Sequence, residues 1–220
     1  MSGKNKEKPN LMIIGNSNVG KSSITKLLLP NRKQYKGKIG KTPGSTLLIK
    51  PINSEKLPYK IVDLPGFGYM RKASNRREEH IKKQIVIHIE KHHSEYFFAI
   101  VVLNVLRIED ELMKYFIKNQ TTIPLSFELI NFLREFELPL IVLINKIDKI
   151  SKIQLGRIVN FLVDNARQYG INLVGLDKYS YEKENIPYLT FSALKKINLN
   201  ALKHIIQHYF QEWVKKKRGK

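Results

Sequence analysis

Cysteine is absent from the 220 residues, so no disulfide or thiolate metal site can form, and a secreted fold stapled by cross-links is excluded. Acidic residues are scarce: 19 Asp and Glu stand against 39 Lys and Arg, a formal net charge of +20. Long apolar runs are missing. The most apolar stretch, Tyr96 to Leu106, is about half the length needed to cross a bilayer and reads as a buried strand. Residues Ser2 to Asn10 are Lys-rich with no apolar segment. No secretory signal is therefore expected, and the stretch is too short for an organelle transit peptide, so the expected location is cytoplasmic. No Ser-His-Asp or paired-carboxylate arrangement stands out, and there are no repeats. A hydrophobic fraction of 42% is ordinary, and a chain of this length can bury a substantial core as one domain.

What is present begins at residue 15. Gly15-Asn16-Ser17-Asn18-Val19-Gly20-Lys21-Ser22 reads G-x-x-x-x-G-K-[ST], behind the apolar run Leu11–Ile14 and before the helix-compatible stretch Ser22 to Leu29. Gly15 and Gly20 let the backbone turn tightly and bring its N–H groups to phosphate oxygens, and the following helix aims its positive end at the same anion. Lys21 is placed to reach the β- and γ-phosphates, and the Ser22 hydroxyl to ligate Mg²⁺, with Ser23 beside it. The pattern implies a bound nucleoside triphosphate.

Which nucleotide is settled downstream. Ile61-Val62-Asp63-Leu64-Pro65-Gly66 ends an apolar run in D-x-x-G. Asp63 can hold Mg²⁺ through water, and Gly66 can offer its N–H to the γ-phosphate; alone, this is ordinary turn chemistry. Leu140 to Ile144 is an apolar run, mostly β-branched, that leads into Asn145-Lys146-Ile147-Asp148. A carboxylate at Asp148 can accept from both N1–H and the 2-amino group of guanine, and adenine lacks that pair. The Lys146 stem can cover one face of the base. Tyr188 to Phe191 leads into Ser192-Ala193-Leu194, where a backbone N–H can meet the guanine O6. GTP and GDP are the expected ligands.

The order and spacing of these pieces resemble the translation-factor-like P-loop GTPases. Lys41-Thr42-Pro43-Gly44-Ser45-Thr46-Leu47-Leu48-Ile49, followed by Asp63-Leu64-Pro65-Gly66-Phe67-Gly68-Tyr69, resembles the EngB (YsxC/YihA) family pattern T-P-G-x-T-x-x-I and D-L-P-G-[YF]-G-Y. Phe191 to Lys196 is similar to that family's last motif. The resemblance spans about residues 10–214 and implies a ribosome-assembly GTPase, acting on the large subunit in bacterial members. It makes Thr46 the switch threonine that closes on Mg²⁺ and the γ-phosphate, with Thr42 the lesser candidate. Lys21, Thr46 and Gly66 are thus the expected catalytic set. Phe67 stands where many GTPases have a water-orienting glutamine, and a phenyl ring cannot hydrogen-bond water. Slow basal hydrolysis follows. Asn18 has two readings: a ligand for a potassium ion near the bridging oxygens, as in related N-x-G-K-S loops, or a loop residue making a local turn bond.

Two departures qualify the resemblance. Asn145 stands where many members carry Thr, which leaves the guanine reading intact. Asp63 and Asp148 also lie farther apart than in compact members. The surplus is assigned to Arg107–Thr122, as in an archaeal or otherwise divergent branch.

The expected fold is α/β: a three-layer P-loop GTPase domain over residues 10–214, flanked by basic tails at 1–9 and 215–220. Strands are expected at 11–15, 46–52 (the antiparallel edge), 59–63, 97–105, 139–145 and 187–191. Helices are expected at 21–29, 76–92, 125–136, 151–169 and 198–215. The result is a mostly parallel six-stranded sheet with helices on both faces, and all motifs at the carboxyl ends of strands. Lys36–Gly44 reads as a switch loop ordered by the γ-phosphate.

The positive charge is clustered. Arg32, Lys33, Lys36, Lys38 and Lys41 occur between Pro30 and Thr46 with no acid among them, Arg71, Lys72, Arg76 and Arg77 follow the second switch, and Lys215 to Lys220 close the chain. This suggests an RNA contact, rRNA or a ribosomal subunit, that GTP gates; solvated Lys-rich faces are the bland alternative. The pairs His88/His92 and His204/His208 have i,i+4 spacing but no obvious third ligand, and read as helix-surface residues. The leading expectation is a monomeric, Mg²⁺-dependent GTPase switch in large-subunit assembly, with K⁺ stimulation following from one of the two readings of Asn18. The alternatives are an RNA-binding factor with a structural, barely hydrolysed nucleotide, or a switch acting through a protein effector in cell division.

Overall fold

A computed structural model describes residues 8–35, 49, 51–66, 75–118, 123–182 and 184–219. Its strands are β1 (Asn10–Gly15), β2 (Pro51–Ile52), β3 (Lys60–Asp63), β4 (Tyr96–Asn104), β5 (Leu140–Asn145), β6 (Asn172–Gly175) and β7 (Asn185–Phe191). The helices are α1 (Lys21–Leu28), α2 (Asn75–His92), α3 (Ile108–Lys118), α4 (Leu125–Glu135), α5 (Lys152–Gln168) and α6 (Leu199–Arg218). The strands form one sheet in the order β2-β3-β1-β4-β5-β7-β6. Among the described strands only the β2–β3 pair is antiparallel.

Alternation within β1 sorts the core into two layers. Met12 and Ile14 face α2, α3, α4 and α5, where Ile85, Leu112, Phe127 and Leu162 fill the layer. Leu11 and Ile13 face α1 and α6, against Ile24, Leu202 and Ile205. β1, β4 and β5 are buried at every position, which is why they read as unbroken apolar runs rather than alternating ones. α2 follows from Ile81, Ile85 and Ile89 at four-residue spacing, all buried. α5 starts at a capping box: the Ser151 hydroxyl accepts from the Gln154 N–H, and the Gln154 side chain accepts from the Ser151 N–H.

Among the described residues the sheet has seven strands, one more than the six expected. β6 pairs parallel to β7, with Leu173 beside Ile186, and forms the far edge. Its four residues begin with an exposed Asn172 and bury only Leu173, too short a pattern to stand out in sequence. The expected 46–52 edge strand is seen as Pro51–Ile52, its earlier residues lying mostly outside the described ones. Helix α3 occupies most of 107–122, where no helix was expected.

Register decides what this scaffold positions. Gly15 pairs with Val102, Asn104 with Asn145, and Asn145 with Phe191, so β1, β4, β5 and β7 end together. The loops leaving those carboxyl ends share one end of the molecule.

Candidate P-loop nucleotide site

The loop from Gly15 to Gly20 folds as its glycines require. Gly15 has φ +146°, and a Cβ there would sit 2.3 Å from the Val102 carbonyl oxygen of the neighbouring strand. Gly20 caps α1 with φ +107° and offers no side-chain partner to the first-turn N–H groups, and no acid occupies that turn. The Ser23 N–H turns back to the Gly20 carbonyl at 3.0 Å, and the first turn presents its positive dipole end without a side-chain cap. Lys21 is 8% exposed, and its ammonium donates to the Gly15 and Asn16 carbonyl oxygens at 2.9 and 2.8 Å. Burial lowers its pKa from 10.5 to about 8, against the opposing pull of Asp63. A polyanion in the loop would restore the ammonium's charge partner.

Asp63 ends β3 facing this loop. Its Oδ2 accepts from the Ser22 hydroxyl at 2.9 Å and from the Tyr35 hydroxyl at 2.7 Å. Its Oδ1 is buried with no hydrogen-bond partner among the described residues. Desolvation raises the Asp63 pKa, with the Tyr35 hydrogen bond, the Lys21 charge and the Ser22 hydrogen bond opposing in that order. A buried carboxylate with an orphaned oxygen beside a serine hydroxyl fits a hard divalent cation such as Mg²⁺. Gly66 closes in on the loop from the same side, and a Cβ there would stand 2.8 Å from the Ser17 Cα.

At the opposite end of the site, Asn145 is 1% exposed and spans two loops. Its amide nitrogen donates to the Val19 carbonyl at 2.8 Å, and its amide oxygen accepts from the Ala193 N–H at 3.0 Å. Lys146 adopts φ +72° and its ammonium donates to the Asn18 carbonyl at 2.6 Å, laying the stem alongside the phosphate loop. Burial lowers its pKa, with Arg107 adding to the effect. Asp148 Oδ1 accepts from the Ser192 hydroxyl at 2.6 Å, and Ser192 Oγ accepts from the Lys195 N–H at 3.0 Å. Leu194 is exposed beyond them.

The residues singled out at 15–23, Asp63, Gly66, Asn145, Lys146, Asp148 and 192–194 thus converge at one end of the sheet. Thr46, Thr42, Phe67 and the basic residues Lys36, Lys38, Lys41, Arg71 and Lys72 lie outside the described residues, as do the side chains of Arg76 and Arg77. Asn18 is exposed with φ +62°. Two contributors were not foreseen. Tyr35 carried no signal beyond being a lone aromatic in a basic segment. Glu111 of α3 accepts from the Asn16 amide at 3.3 Å and from the Ser126 N–H at 3.1 Å, tying the phosphate loop to the start of α4.

Elsewhere, His88, His92 and His208 pack against neighbouring rings, and His204 is exposed. His88 Nε2 bonds the Tyr96 hydroxyl at 2.7 Å and its ring lies 4.8 Å from that of His92, while His208 packs on Tyr181 with ring centres 4.1 Å apart. Among the described residues no cluster of three His, Cys, Asp or Glu could hold a metal. A cavity of about 530 Å³ between α1 and α6, lined by Leu27, Leu57, Tyr59 and Phe210, shares no residue with this site.

A family model described as the 50S ribosome-binding GTPase matches residues 10–146, and one described as the elongation factor Tu GTP-binding domain matches 99–212. The probable GTP-binding protein EngB of Pyrococcus abyssi is 32% identical over 92% of this chain and 86% of its own length. The chain belongs to the EngB family of P-loop GTPases. The EngB protein of Methanococcus aeolicus is 35% identical over 66% of this chain and 61% of that protein. A crystal structure of a probable EngB superposes with a TM-score of 0.69 at 28% identity, covering 92% of this chain and 99% of that one. The fold of EngB is thus the fold seen here, and the archaeal relatives agree with the divergent branch anticipated from the sequence. No helix among the described residues is long and apolar enough to cross a membrane.

Proposed function

We propose that this EngB protein is a Mg²⁺-dependent GTPase switch whose GTP-bound form engages the large ribosomal subunit during its assembly. The reading is carried by Asn145, which joins the Val19 carbonyl of the phosphate loop to the Ala193 N–H of the last motif, so that triphosphate and base ends act as one pocket.

In this reading the amides of 15–20, the α1 N-terminus and the first-turn residues Ser22 and Ser23 cradle the phosphates, while Lys21 pairs with the β- and γ-oxygens. Ser22, Asp63 and Thr46 hold Mg²⁺, which supplies charge neutralisation across the phosphates when bound. Gly66 donates its N–H to the γ-phosphate, and Lys21, Thr46 and Gly66 form the catalytic set. Asp148 sorts guanine from adenine, Lys146 covers the base, and a backbone N–H of the Ser192-Ala193-Leu194 stretch meets O6. Because Phe67 offers no hydrogen bond to water, hydrolysis rests on electrostatics, and K⁺ held by Asn18 stimulates it. The protein acts as a cytoplasmic monomer, and its basic surfaces, including the exposed Lys215 to Arg218, supply the rRNA contact.

The test is multiple-turnover phosphate release by the purified protein with GTP or ATP, with Na⁺ or K⁺, and with or without large ribosomal subunits. GTP turnover raised by K⁺ and by subunits supports the switch. ATP used as readily, or no turnover under any condition, refutes it.

A further inference from the structure

We propose that Tyr35 is a positioning residue for the magnesium site: its hydroxyl fixes the Asp63 carboxylate and leaves Oδ1 for the cation. The inference rests on the reading of Asp63 as a Mg²⁺-site residue.

Three observations carry it. Both hydroxyl donors, from Ser22 and Tyr35, fall on the same oxygen, Oδ2, while Oδ1 is buried and has no hydrogen-bond partner among the described residues. A carboxylate with two donors on one oxygen cannot rotate without losing both, so its second oxygen is held in a fixed direction. The tyrosine itself cannot swing. It is 8% exposed and packs in the core layer of Leu28, Leu29 and Ile61, with the Lys26 ammonium 5.5 Å from the ring centre. Finally, Asp63 is 5% exposed, and a buried oxygen left without a hydrogen-bond donor is costly unless a ligand meets it. The phenol is thus an outer partner of a metal-site carboxylate, of the kind whose loss weakens metal binding without removing a ligand.

Tyr35→Phe keeps the ring and its packing and removes only the hydroxyl. Wild type and variant, loaded with a fluorescent GDP, are followed for nucleotide release across a series of free Mg²⁺ concentrations, starting from EDTA. The expected result is a half-saturating Mg²⁺ concentration about tenfold higher in the variant, with release in EDTA unchanged. An unchanged half-saturating value overturns the proposal. A lower one also overturns it, because the phenol would then compete with the metal. Faster release in EDTA by the same factor as in Mg²⁺ shows a general loosening and overturns it too. Asp63→Asn separates this from the broader reading. If that variant keeps the wild-type Mg²⁺ response, Asp63 lies outside the metal site and both readings fall. If it abolishes the response while Tyr35→Phe leaves it intact, only the role of Tyr35 falls.

Discussion

The side-chain amide of Asn145 reaches the backbone carbonyl of Val19, 126 positions earlier in the chain, over 2.8 Å inside the molecule. With its other end on the Ala193 N–H, this buried residue replaces water for two loops at once. Asn145→Ala removes both bonds and strands the buried Val19 carbonyl and the part-buried Ala193 N–H, so it should cost about 2–3 kcal/mol of stability. GDP affinity should fall by more than the stability loss alone explains. Denaturant unfolding and equilibrium titration measure the two effects, and intact GDP affinity would refute the coupling of the two ends.

Gly20 lies under the same side chain. A Cβ at this position would come within 2.3 Å of Asn145 Nδ2, and the backbone there has φ +107°. Gly20→Ala should abolish detectable nucleotide binding. Pairing it with Asn145→Ala removes the clash but leaves backbone strain of about 1–3 kcal/mol. The double variant should therefore be more stable than the sum of the two singles predicts, and denaturant midpoints of all four proteins decide it.

Asp148 is held by the Ser192 hydroxyl at 2.6 Å, so its carboxylate is aimed before any base arrives. Asp148→Asn should lower GTP affinity about a hundredfold or more and favour xanthine nucleotide, because an amide can donate to the xanthine 2-carbonyl. Titration with GTP and XTP measures the exchange. Undiminished GTP binding would remove Asp148 from base recognition.

Acid should weaken the fold through His88. Burial lowers its pKa below the ordinary 6.5, with His92 adding to the effect and Glu95 opposing it. The unfolded chain therefore takes up a proton at higher pH than the folded one. Stability from the neutral ring is present above 6.5 and is lost as pH falls through the folded-state value. Urea midpoints measured from neutral to acidic pH should slope less for His88→Gln than for wild type. Identical slopes would place the acid sensitivity elsewhere.

Ribosomal or RNA binding should be steeply salt-dependent. Six to ten phosphate contacts lose about 10³–10⁵ in affinity between 50 and 200 mM salt. Removing residues 215–220 should flatten the log–log slope by about one unit per lost phosphate contact. Co-sedimentation with large subunits at several salt concentrations tests both, and a flat response leaves the GTPase without an RNA partner.

The nucleotide loops were legible because their chemistry is local. Gly15 to Ser22 and Asn145 to Asp148 each pack several constraints into a few consecutive residues, right behind buried strands. The major strands and α2 were legible from apolar runs and from Ile81, Ile85 and Ile89. What stayed hidden was set by distance or brevity. Nothing near Tyr35 in sequence announces Asp63, and nothing near Glu111 announces Asn16, because each partner is chosen by the sheet order. β6 escaped notice because four residues with one buried side chain carry almost no period. Helix α3 lay in a stretch marked only as surplus, although Ile108 and Leu112, four apart and buried, anchor it to the core.

The polarity of the parallel sheet has a practical corollary. α2 runs back to the amino-terminal ends of the strands, so exposed Lys91, near its close, lies opposite the loops that handle nucleotide. In a chain with no native thiol, Lys91→Cys would carry a single fluorophore as a remote beacon, reporting tumbling and complex formation in real time while the working end stays chemically untouched.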